Sequence, residues 1–183
     1  MPRLRLATVL AALHVAVTVL APSAARADEA QDVDRLLRSG KATEALARVE
    51  RSLTAKPADP QLRFLKGVVL AEAKRTAEAT EVLVKLTEDY PELAEPYNNL
   101  AVIYAADGRY DKARAALEAA VRANPGYATA HENLGDVYAR LAAASYQSAL
   151  RIDPAGRSAA PKLALVRGLF AAAPASAPAG SAR

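Results

Sequence analysis

Cysteine and tryptophan are both absent from the 183 residues. Without a thiol there is no disulfide, no thiol catalysis and no cysteine-held metal. A lipid anchor on a leading cysteine is excluded for the same reason. Histidine is nearly missing as well, with only His14 and His131, which leaves zinc and haem sites without their usual ligands. The eight glycines are dispersed and form no phosphate-cradling loop. Aromatics make up 5% of the chain. Glu132 and Asp136 stand four apart on one helical face, but two solvated acids need a third group and a pocket before they suggest catalysis. The expectation is a protein that is not an enzyme and holds no cofactor or metal.

Charge of one sign is also scarce. The full chain carries 24 basic and 20 acidic residues. The first 27 residues hold Arg3, Arg5 and Arg26 and no acid, so the remainder is close to neutral. Nothing in that balance favours nucleic acid or an anionic lipid surface. The same 27 residues read as a secretory signal: two arginines, an apolar run from Leu6 to Ala21, Pro22, and an Ala25-Arg26-Ala27 cleavage site. Sixteen apolar-run positions fall short of the ~20 that a spanning helix wants. A cleaved signal implies a periplasmic protein. A retained segment implies an inner-membrane anchored assembly subunit instead.

What the chain does have is a step. Pro57, Pro91 and Pro125 are separated by one constant interval, and Ala45, Ala79 and Ala113 keep it. A fixed interval means copies of one supersecondary unit. The clearest copy carries Tyr97, Leu100, Ala101 and Tyr104, then Gly108, then Ala113, Leu117, Ala120 and Pro125. Small residues let two helices approach, large ones fill the gap between them, and the glycine ends the first helix in a left-handed cap. This pattern resembles the tetratricopeptide repeat. The resemblance implies an all-α fold, a right-handed superhelix of antiparallel helix pairs that binds a protein or peptide partner.

Along that register, 28–59 is a partial first repeat, 60–93 and 94–127 are full ones, and 128–156 is shortened. In the second, Lys74 takes the turn position and should make the turn less regular. In the fourth, Thr129 and Glu132 are placed to form a capping box. Leu134, Gly135 and Tyr138 follow in pattern, but Tyr146, Ala149 and Pro154 arrive five places early. No Gly, Pro, Asn or Asp interrupts Tyr138 to Ile152, so one fused helix is favoured over a very tight hairpin. Leu163, Leu165, Val166, Leu169 and Phe170 predict a capping helix within 157–171. The Ala/Pro-rich segment 172–183 is expected to be disordered.

The resemblance also places a binding groove on the first helices of the repeats. By register it contains Phe64, Val68 and Glu72, then Asn98, Asn99 and Val102, then Glu132, Asn133, Asp136 and Arg140. Phe64 is equally suited to the core. Asn99 and Asn133 serve either a ligand backbone or the fold itself. Such a groove is apolar over two repeats and acidic at its end, fitting an amphipathic helix or extended segment with a basic residue. The implied partner is a protein of the cell envelope, with the chain as its scaffold or adaptor.

Overall fold

The computed structural model describes residues 22–171, with side-chain surroundings from Glu29 onward. The signal reading for 1–27 falls mostly outside this range, and that of the 172–183 tail falls wholly outside it. Among the described residues there are eight helices and no strand. They are α1 (Pro22–Arg38), α2 (Ala42–Ala55), α3 (Pro60–Glu72), α4 (Thr76–Asp89), α5 (Ala94–Ala106), α6 (Tyr110–Ala123), α7 (Ala128–Ile152) and α8 (Ala159–Gly168). α1 starts at Pro22 and so runs through Ala25-Arg26-Ala27.

The first six helices form three hairpins, and the same slots close each one. Ala45, Ala79 and Ala113 are fully buried, as are Val49, Leu83 and Leu117 to within 1%. Close approach is tightest at Gly67, where an added Cβ would sit 2.7 Å from Leu83 Cδ2. No residue larger than glycine fits there without repacking.

Each hairpin turns by the same motif. Gly40 and Gly108 both have φ of +71°, and Lys74 has φ of +62°. The amide after each donates to a carbonyl five residues back: Lys41 to Leu36, Arg75 to Leu70, Arg109 to Tyr104. This is the Schellman cap. The expected irregularity at Lys74 is therefore corrected. Tertiary packing of α3 on α4 forces a lysine into the glycine geometry at some cost in strain.

Polar contacts tie successive helices at their rims. Arg63 of α3 pairs with Asp89 of α4 at 2.8 Å, and Lys66 pairs with Glu50 of α2 at 2.8 Å. Asp59 caps α3 by accepting from the amides of Gln61 and Leu62. The capping box proposed for Thr129 and Glu132 does not form. α7 begins at Ala128, so both residues lie inside it and are exposed. The preceding turn is held by Asn124, whose Oδ1 accepts from Gly126 N at 3.0 Å.

α7 is one continuous helix of 25 residues. Its first half buries Ala130 and Val137, with Leu134 and Leu141 partly buried beside them against α6. Beyond Leu141 the partly buried positions are Ala142, Ala143, Tyr146, Gln147, Ser148 and Leu150, with the Tyr146 ring under Lys162 of α8. α8 runs antiparallel to it, with Lys162 over Tyr146 and Arg140 over Phe170. Leu163 is the buried anchor of α8. Leu165 and Leu169, expected on the apolar face of this cap, are instead 75% and 70% exposed.

Candidate functional site

Helices α5 and α7 stand side by side on one face, and between them lies an open groove of about 300 Å³. Ala101, Val102 and Ala105 form one wall; Asn133, Asp136 and Arg140 form the other. Small residues on α5 make the room. Val102 is 52% exposed at the mouth, an apolar side chain that packing leaves unused. Phe170, just past α8, closes the C-terminal end, and the Arg140 guanidinium lies 3.7 Å from its ring centroid. That stacking fixes the cation while leaving N–H edges for a ligand.

The structure brings four of the expected residues together in the groove: Val102, Asn133, Asp136 and Arg140. Glu132 is exposed on α7 but does not line it, and Glu72 is exposed on α3. Phe64 packs against the core formed by α1 to α5, so its side chain serves the interior. Val68 is half-buried.

The asparagines divide by what stands one repeat earlier. Asn133 donates from Nδ2 to Asn98 Oδ1 at 2.8 Å, bridging α5 and α7. Asn98 is only 6% exposed, so its expected place as a ligand contact is corrected: it spends its acceptor on the neighbouring repeat. Asn99 has Phe64, an apolar side chain, at the corresponding place. It turns back to the Glu95 carbonyl at 3.0 Å.

Phe170 is the groove residue that the repeat register did not supply, because it lies beyond the last repeat. Its signal was chemical, an aromatic just past the cap helix and opposite an arginine. Elsewhere, Arg63 holds the Asp89 carboxyl below its ordinary value, against a burial penalty and with Lys85 adding to the effect. Arg75 does the same for Glu78. Burial, with the Glu95 charge second, pushes the Tyr127 phenol up. Among the described residues no cluster of His, Asp or Glu has the makings of a metal site.

Comparison with known proteins points one way. Models of the tetratricopeptide repeat match residues 36–103 and 103–141. The tetratricopeptide repeat domain-containing protein PYG7, chloroplastic, of Arabidopsis thaliana is 33% identical over 137 residues, 65% of this chain and 46% of its own length. The chain thus spans less than half of that relative. A thermophilic TPR protein of Thermus thermophilus, TTC0263, superposes with a TM-score of 0.58 at 27% identity, over 78% of this chain and 83% of that one. The first TPR of Spaghetti (RPAP3), solved bound to an HSP90 peptide, gives 0.56 at 17% identity, over 64% and 93%.

Proposed function

This chain belongs to the tetratricopeptide-repeat family, and from that premise we propose that it is a non-enzymatic adaptor holding a segment of a partner protein between α5 and α7. The observation that carries this is the groove itself. Exposed Val102 lies beside Asp136, with Arg140 held over Phe170 at one end. An apolar side chain of the partner covers Val102, and a neighbouring basic residue meets Asp136. Asp136 balances Arg140, the one cation lining the groove, which argues against clamping a terminal carboxylate.

The setting is part of the proposal. The N-terminal arginines, apolar run and Ala-Arg-Ala site support export, and the partner is then a protein of the bacterial cell envelope. The alternative keeps that segment as a membrane anchor. N-terminal sequencing of the exported protein decides between them: a chain beginning at Asp28 ends the anchor reading.

Val102→Glu puts a charge where the apolar anchor lands. Partner affinity in a pull-down from envelope extract should fall about tenfold or more, with the helical circular dichroism unchanged. Undiminished capture would sink the groove assignment.

A further inference from the structure

One face of α7 is left largely open by the described residues, its one tie to α6 being the Tyr138 hydroxyl, which donates to Glu118 Oε1 at 3.2 Å. His131, Gly135, Tyr138, Ser145, Ala149 and Ile152 are all exposed, and Ala142 among them is partly so. With Ala142 they alternate in steps of four and three for three heptads, the spacing of a helix–helix seam. All seven fall within about 100° of the helix circumference. The four ionised residues of α7 (Glu132, Asp136, Arg140 and Arg151) lie on the opposite side, also within about 100°. α7 itself therefore puts no like charges on the seam, and the acid bordering it, Glu118 of α6, is engaged by Tyr138.

The seam is also half of an unfinished hairpin. In the repeat at α3–α4, the small residue Gly67 receives Leu83 of the following helix. The equivalent of Gly67 in α7 is Gly135, and an added Cβ there meets nothing within 4 Å. Tyr138 is 47% exposed and Ile152 87%. The helix that should cover them has not turned back; it continues straight on as the second half of α7. That second half presents Ala142, Ser145 and Ala149 on the seam, small residues that leave room for a large one opposite.

We propose that two copies of this chain pair through α7, antiparallel about a two-fold axis near Arg140, each filling the other's vacant slot. Tyr138 of one copy then faces Ala142 of the other, His131 faces Ala149, and Gly135 faces Ser145. Large stands against small at the Tyr138 and His131 layers, and two small residues meet at Gly135. The pairing reproduces between chains the contact that α5 and α6 make within one, a domain-swap geometry.

The absence of native cysteine makes the test direct. His131→Cys with Ala149→Cys places two thiols about 27 Å apart along one helix, far beyond disulfide reach. Oxidation of the full chain should give a covalent dimer, while Glu132→Cys with Arg151→Cys on the charged side stays monomeric. Either seam cysteine alone should not cross-link, and a mixture of the two single variants should. In sedimentation across the micromolar range the wild type should reach twice its protomer mass, and Gly135→Arg should stay single. Glycine to arginine raises helix propensity there, so loss of the dimer would not reflect loss of the helix. A monomer at every concentration, equal cross-linking of both pairs, or cross-linking of His131→Cys alone would overturn the proposal. So would a seam already covered by residues 172–183 or by a foreign protein.

Discussion

At Lys74 a side chain occupies a backbone conformation that L-residues adopt at a cost of roughly 1–2 kcal/mol. Its counterparts Gly40 and Gly108 adopt it freely. Lys74→Gly should raise the free energy of urea unfolding by about 1 kcal/mol, the conformational relief less the entropy glycine adds to the unfolded chain. A loss of stability would mean that the lysine's own contacts outweigh the strain. Residues in the repeat slots were legible for a plain reason: Ala45, Ala79 and Ala113 recur at one interval because each admits a crossing helix. The asparagines were not. Asn98, Asn99 and Asn133 look alike in the chain, and only the neighbour across the groove decides whether each pairs with another helix or with its own.

The joint between α3 and α4 shows what a single element pair owes to charge. Asp89 is held ionised by Arg63 and Lys85, and its carboxyl titrates below the ordinary 3.8. A lowered folded value stabilises the protein fully above about pH 4 and loses that contribution as the pH falls through the folded value. Asp89→Asn should flatten the decline of melting temperature in this acid range, leaving the two proteins closer at pH 3 than at pH 7. An unchanged acid slope would remove Asp89 from the account. Element existence was readable throughout, since Gly40 and Gly108 punctuate the first and third hairpins, the constant interval carries the second across Lys74, and the lack of turn residues marks α7 as one helix. Element ends were less so. The start of α7 depends on the Asn124 turn, and the outward aim of Leu165 and Leu169 depends on which side of α8 meets α7.

For the molecule as a whole, contacts run between successive helices and between first helices of adjacent repeats. Stability in such a stack is a sum of local and nearest-neighbour parts. Amide exchange should accordingly be slowest in α4 and α5, which have covered neighbours on both sides, and fastest in α1 and α8. Uniform protection from end to end would show a single cooperative unit instead. The class of this fold was visible in three prolines. Its working surface was less visible, because Phe170 reaches the groove from outside the repeats and α7 leaves a slot open.

α7 carries Asp136 and Arg140 towards the groove on one side and the uncharged seam on the other. One continuous helix loaded from two sides is a route for coupling between them. If a bound segment favours one curvature of α7 and a second copy favours the same, each tightens the other by an identical factor, because linkage is reciprocal. The five residues missing from the fourth repeat would then set more than where the array stops. They would let an adaptor register, through its grip on a partner, whether it is alone.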